Sequence, residues 1–235
     1  MLTVSSGAPA WAAPTGGSGG SALPLDALAA ADVGSGDLFG GTTLDGGWSS
    51  LDATPLNHID ASVDGYLILG NDGSALGSNA FRGIQRAFVP SGDFMVWARC
   101  DFFRANAAFQ GWAVWAGASN PSSRVDALVY NSSGTLVAQI NKWTTGSRAN
   151  QFDGSIGNSP LWMQASAARP VPMWLAIRRV GTAIAFGISQ DGVLLEWHTS
   201  TTTIGFTVET CGIAIMQQST NNPARFTFDY IATTG

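Results

Sequence analysis

The sequence predicts an all-β chain: one antiparallel sandwich over residues 37–235 behind an extended arm over residues 1–36. Three observations predict it. From Asp37 onward, short runs rich in Val, Ile, Phe, Trp and Thr alternate with clusters of Gly, Asn, Asp, Ser and Pro, the punctuation of strands and turns. Within the runs, apolar residues recur at every second position, the period of a strand and not of a helix. At 235 residues the chain fits one core, since all-β sandwiches reach about 200–250 residues as one domain.

Taken in order, the arm comes first. Residues 7–36 hold Gly-Ala-Pro-Ala-Trp-Ala-Ala-Pro, then Gly-Gly-Ser-Gly-Gly-Ser, then an Ala/Leu-rich stretch from Leu23 to Ala31. Gly/Ser-rich sequence behaves as a flexible linker, which sets this part apart from a core. Strands follow at Tyr66–Leu69, Gly83–Val89, Phe94–Phe103, Gln110–Ala116, Arg124–Tyr130 and Thr135–Lys142, then at Met173–Val180, Ala183–Ser189, Val193–His198, Cys211–Gln217 and Arg225–Ile231. In the third of these, Phe94, Val96, Ala98, Cys100 and Phe102 share one side, the core side. Met95, Trp97, Arg99, Asp101 and Phe103 share the other, the pattern of a sheet face left partly open. Ser189-Gln190-Asp191-Gly192 reads as a hairpin turn, because Asp-Gly accepts the positive φ angles that tight hairpins require. The segment from Trp143 to Pro172 is long, polar and Gly/Asn-rich, and loops of that length are functional or covered by a partner.

Composition narrows the function classes. Charged residues make up 11% of the chain, against about 25% in an ordinary soluble domain. Such a neutral surface suits packing into a larger assembly or a polar binding face. The net charge is −5, Lys142 stands alone among lysines, and Arg178-Arg179 is the one adjacent basic pair. Binding to a phosphate backbone needs clustered cations, so nucleic acid is not an expected partner. The most apolar window, Val171 to Ile188, is interrupted by Arg178 and Arg179, and no membrane insertion is expected. Ala10 to Ala13 faintly resembles a signal-peptidase site but lacks a basic and apolar lead-in, and no signal peptide is expected. Cys100 and Cys211 both fall in strands; a disulfide and two buried thiols both remain open.

Several landmarks carry a resemblance: Asp37-Leu38-Phe39, Leu44 to Trp48, Gly92 to Val96, Trp174 to Arg179, Ser189 to Gly192 with Trp197 after it, and Phe226 to Tyr230. In this order they resemble concanavalin A-like domains, particularly the laminin-G-like group appended to glycosidases. The resemblance covers residues 37–235. It implies a two-sheet antiparallel jelly-roll sandwich and, through its concave sheet or rim loops, carbohydrate binding. A second resemblance lies in the arm, where Leu2-Thr3-Val4 leads to Gly7, Pro9 and Trp11. This segment is similar to one found in bacteriophage tail and head fibres before a Gly-rich link. Leu2, Val4, Pro9 and Trp11 are its attachment residues. The likeness implies a homotrimer, with other virion proteins, capsid or tail, as partners.

Catalytic patterns are sparse. A jelly-roll glucanase sets two carboxylates about 5–5.5 Å or 6.5–9.5 Å apart across the scissile bond, usually from alternate residues of one strand. Glu196 and Glu209 are the two glutamates, and neither sits in such a pattern. Gly16 to Gly20 fits G-x-S-x-G but lacks the strand and helix that strain a nucleophilic serine. His58 and His198 are far apart, with no metal-ligand spacing, and Asn71-Asp72-Gly73 reads as a turn and not a calcium loop. The expectation is a non-enzyme without cofactor or metal.

Aromatic residues remain. Trp48, Trp174 and Trp197 sit at the landmarks and read as core. Trp97, Trp115, Trp143 and Trp162 are candidates for sugar stacking, with Arg148 and Asp153 as hydrogen-bonding neighbours; core or subunit packing is the competing role. The expected function is a bacteriophage virion surface protein, a fibre-tip or capsid-decoration subunit. Its arm attaches and its sandwich meets host-surface polysaccharide. A secreted carbohydrate-binding module and a ligand-free decoration protein are the alternatives.

Overall fold

A computed structural model describes residues 2–5, 8–11, 25–26, 29, 34–40, 43–51, 58–60, 65–71, 81–104, 108–120, 122–132, 135–151, 172–189, 191–193, 195–200, 203–217 and 224–235. In chain order the strands are β1 (Leu2–Ser5), β2 (Ala8–Trp11), β3 (Ser49–Ser50), β4 (His58–Asp60), β5 (Leu67–Asn71), β6 (Phe81–Ala87), β7 (Phe94–Arg104) and β8 (Gln110–Gly117). They continue with β9 (Arg124–Ser132), β10 (Thr135–Thr144), β11 (Ser147–Gln151), β12 (Met173–Val180), β13 (Ala183–Ser189), β14 (Glu196–Ser200), β15 (Thr210–Gln217) and β16 (Ala224–Thr234). Two seven-stranded sheets result. Sheet I runs β11-β10-β9-β8-β15-β6-β3, and sheet II runs β14-β13-β12-β7-β16-β5-β4. Each pairing is antiparallel, as in β8 with β15 and β7 with β16, and the sandwich expected from the sequence is present.

Alternation places the core between the sheets. Trp112, Val114 and Ala116 of β8 and Ile213 and Ile215 of β15 join Val96, Ala98 and Cys100 of β7 and Leu175 and Ile177 of β12 in one buried cluster. Across the interface Trp112 meets Phe228 edge-on, ring centroids 5.3 Å apart, a favoured aromatic geometry. Phe102, expected in this set, is 36% exposed because it lies toward the far end of β7. Cys100 and Cys211 are both buried and form no disulfide. Burial pushes the Cys211 thiol up to about 12 and raises that of Cys100 well above its usual value.

The register of β16 shifts twice, around Phe228. Such bulges re-aim side chains. Phe226, Phe228 and Ile231 therefore face the core, while Tyr230 and Ala232 turn to the outer face of sheet II. That outer face, expected to be partly open, is covered at Met95 and Trp97 and half-open at Arg99 and Asp101. Leu25 and Ala29 pack there against Met95, Trp97, Trp174, Ala176, Tyr230 and Ala232. The Asp26 carboxylate accepts hydrogen bonds from Trp174 Nε1 at 2.8 Å, Tyr230 Oη at 2.9 Å and Arg99 Nη1 at 2.7 Å. Leu25, Asp26 and Ala29, which lie within the span read as arm, thus pack onto the sandwich. Leu25 and Ala29 gain burial against an aromatic surface, which favours their docking there. Burial, with the Asp26 charge added, raises the Tyr230 phenol above its ordinary value.

Further corrections are local. In the arm, Leu2–Ser5 and Ala8–Trp11 pair antiparallel, with Leu2 opposite Trp11 and Val4 opposite Pro9. Part of the expected loop after Trp143 is strand: Thr145 and Gly146 turn with φ of 50° and 82°, and β11 pairs back on β10. The Asp-Gly turn is wider than a tight hairpin, since Ile188 pairs with Glu196. Gly192 keeps a positive φ of 69°, and a Cβ there would lie 2.8 Å from the Trp174 ring. The landmark Asp37 acts structurally, accepting from Trp48 Nε1 at 2.9 Å and exchanging both backbone bonds with Ile231.

Candidate functional site

The outer face of sheet I gathers polar and aromatic groups. Its centre is Asp126 on β9, fully buried. Asn141 of β10, directly opposite in register, donates Nδ2 to Asp126 Oδ1 at 2.7 Å. Trp143 donates its indole N–H to Asp126 Oδ2, and Arg124 Nε stands 3.7 Å from the same oxygen. The Arg124 guanidinium lies over the Trp143 ring at 4.4 Å and over Phe81 at 5.0 Å, so its charge is held by a carboxylate and two aromatic faces. Phe81 and Trp143 meet edge-on at 5.8 Å.

Small residues floor the middle of this face: Ala113 on β8 and Gly212 and Ala214 on β15. Gly212 is required, because a Cβ there would lie 2.0 Å from the Ile84 carbonyl oxygen and 2.8 Å from Trp115 Nε1. Three buried polar atoms on this face have no hydrogen-bond partner: Trp115 Nε1, Asn141 Oδ1 and Gln85 Oε1. At one edge Phe109 is 43% exposed and stacks on Tyr130 with centroids 6.1 Å apart and planes inclined by 17°. Its φ of 61° is a strained conformation for a bulky residue. At another edge the β8–β9 loop and the β10–β11 turn are tied together by Gly146 N donating to Ser122 O at 2.9 Å. Glu209 Oε2 caps that loop by accepting from Ser119 N at 2.8 Å, which holds the Glu209 carboxyl below its usual range.

The expected sugar-stacking residues fall in different places. Trp115 and Trp143 lie on this face but are buried, and Trp97 is buried on the outer face of sheet II; none offers an open platform. Each is covered because both faces of its strand are covered, which alternation alone does not reveal. Arg148 stands opposite Trp143 in register on β11. Asp153 and Trp162 lie outside the described residues. Sequence reasoning missed Phe109, Arg124, Asp126, Asn141 and Gln85. Among the described residues no three His, Cys, Asp or Glu side chains gather so as to hold a metal.

No protein-family profile matches this chain, and no curated protein does. Solved structures do. A GH43 protein from Bacillus licheniformis matches with a TM-score of 0.64 at 15% identity, covering 86% of this chain and 39% of that one. A CBM2 module of the evolved Dit of Lactobacillus casei BL23 phage J-1 matches with a TM-score of 0.58 at 9% identity, covering 84% and 93%. The carbohydrate recognition domain of Emp47p matches with a TM-score of 0.56 at 11% identity, covering 86% and 95%. This chain therefore spans about two fifths of the GH43 chain and nearly all of the two modules. At these identities the likeness shows the β-sandwich fold.

These matches overturn the expectation of a non-enzyme. Xylan β-1,4-xylosidase from Bacillus halodurans C-125 also shares the fold, with a TM-score of 0.60, so the sandwich occurs in glycoside hydrolases and in binding modules alike. Asp26, Asp101 and Asp229 converge on Arg99, at 2.7, 2.5 and 3.0 Å, from three separate parts of the chain.

Proposed function

We propose that the outer face of sheet I is a carbohydrate-binding face. The observation that carries this reading is Phe109, exposed at the edge of this face with a φ of 61° and stacked on Tyr130, while the Arg124–Asp126–Asn141 array, Trp115 and Trp143 are buried. Sugar recognition needs apolar ring contacts beside a few fixed polar groups, and Phe109 supplies the accessible ring. The likeness to a phage CBM2 module and to a carbohydrate recognition domain supports it. A glycan array probed with the purified chain tests it. Phe109 is exposed and can be replaced without opening the core, so Phe109→Ala is expected to lose array signal while keeping its unfolding midpoint. An array with no signal for the parent chain would end the reading.

The finer reading is display on a bacteriophage particle, with the segment holding Leu2, Val4, Pro9 and Trp11 joined to capsid or tail proteins as a homotrimer. Its support is the likeness of that segment to phage fibre segments, together with a phage protein among the similar structures. Light scattering decides the oligomer: a mass of one chain, about 24.4 kDa, at all concentrations rules the trimer out.

A further inference from the structure

We infer that Arg178 and Trp197, on the outer face of sheet II, form a second binding site that takes the carboxylate of an acidic sugar. Arg178 reaches from β12 across β13 toward the edge strand β14, where its guanidinium lies over the Trp197 ring at 3.9 Å. Small residues open that path. Ala185 stands opposite Arg178 in register, and Gly187 stands opposite Trp197. A Cβ at Gly187 would lie 2.9 Å from Trp197 Cζ3, so only glycine lets the indole settle against β13 there. Arg178 and Trp197 are each half-buried and keep surface open to solvent. Trp97 and Trp174 of the same face are buried, so Trp197, read as core from the sequence, is the tryptophan of this face that a ligand can reach.

The bonding of Arg178 sets it apart. Arg86 is paired with Asp45, Arg124 with Asp126, and Arg99 with Asp26, Asp101 and Asp229; Arg179 donates to the Gly92 carbonyl. Arg178 has a ring in place of a carboxylate among the described residues, and burial lowers the pKa of its guanidinium. The aspartates of this face are engaged at Arg99, which stands opposite Trp174. That is about 13 Å back along β12 at roughly 3.3 Å per residue. A guanidinium stacked on an aromatic ring keeps its in-plane N–H groups for a ligand, and that planar fork matches a carboxylate with two parallel hydrogen bonds. Stacking also orients the fork before a ligand arrives, which reduces the ordering cost of binding. One such cation in a chain of net charge −5 suits a single carboxylate; a run of phosphates needs clustered cations. The open part of the Trp197 ring beside the fork places an apolar contact next to a fixed polar group, the mixture that a sugar requires. A uronic acid unit carries both halves, a carboxylate and the pyranose ring that bears it.

Calorimetric titration with trigalacturonate and with its methyl ester tests the inference, because esterification removes the charge and keeps the rings. The parent chain is expected to bind the acid at least about ten-fold more tightly than the ester, a difference of about 1.4 kcal/mol. Arg178→Gln removes that preference, and Arg178→Lys, which keeps the charge without the planar fork, retains only part of it. An unchanged unfolding midpoint shows that each variant is folded, and Arg178→Lys carries the test should Arg178→Gln not fold. Phe109→Ala, on the other sheet, leaves the preference intact. Equal binding of acid and ester, binding of neither, a preference that survives Arg178→Gln or one that is lost in Phe109→Ala overturns the inference. Inorganic phosphate displacing trigalacturonate more effectively than galacturonate does would overturn it as well. None of these results decides the sheet I reading, which stands or falls on its own array.

Discussion

Asp26 and Arg99, separated by 73 positions in the chain, are joined by a 2.7 Å hydrogen bond between Oδ2 and Nη1. The pair helps hold Leu25 and Ala29 over the outer face of sheet II. Asp26→Ala removes this bond and those from Trp174 and Tyr230. Because the Asp26 side chain is 42% exposed, solvent screening limits the loss, and about 1 kcal/mol is expected. A lower urea midpoint with an unchanged slope, read by tryptophan fluorescence, is the expected outcome. A midpoint equal to that of the parent chain would show that burial of Leu25 and Ala29 alone holds the segment.

Asp126 makes a sharper case. Its removal leaves the Arg124 guanidinium and the Trp143 indole N–H buried without their carboxylate. Breaking a buried pair on one side costs about 3–5 kcal/mol. Asp126→Ala is expected to lower the thermal midpoint far more than Asp26→Ala does, and Asp126→Asn to fall between them. Differential scanning calorimetry of the three variants checks the order.

Asp229 gives a pH dependence with a definite sign. Burial pushes its carboxyl above the usual carboxylate range, and the opposing charge of Arg99 does not cancel that. A carboxyl whose folded pKa is raised adds stability below its unfolded value of about 3.9 and loses it as pH rises through the folded pKa. The stability of the parent chain relative to Asp229→Asn should therefore be greatest in acid and decline as pH increases above about 4. Urea midpoints of both proteins across that range test this, and a relative stability that grows with pH would contradict it.

Much of this fold was legible because strands carry their faces in alternate residues. Phe94, Val96, Ala98 and Cys100 do point inward, and the spans Met173–Val180 and Ala183–Ser189 agree with the sequence to the residue. What alternation cannot tell is whether the second face is covered. The run Gly111-Trp112-Ala113-Val114-Trp115-Ala116-Gly117 has no polar residue, and that continuity is the signal that both faces of β8 are buried. The docking of Asp26 was illegible, since the segment around it has no strand period and its partners come from β7, β12 and β16. The Arg124–Asp126–Asn141 array was hidden for a similar reason: each member is an unremarkable strand residue until the register of β9 and β10 sets them side by side.

Both thiols are free, buried and shifted toward the protonated form. Since the thiolate is the reactive species, neither should react with a thiol reagent in the folded protein at mildly alkaline pH. Titration with a chromogenic disulfide is expected to count no thiols in buffer and two in urea, matching the two cysteines of the chain. Rapid native labelling would mean that sheet I and sheet II separate at β7 or β15.

The antiparallel bridge between Asp37 and Ile231, with Ser35 N bonded to Thr233 Oγ1 at 2.7 Å, has a mechanical consequence. The chain runs into the sandwich and out of it side by side. A load drawn in through residue 34 and out through residue 235 would act on these few bonds one after another, unzipping them instead of shearing a whole strand. The two seven-stranded sheets would carry little tension until that seam had parted. In a single-molecule pulling experiment with handles at these two points, the first yield would come at low force and lengthen the chain only slightly.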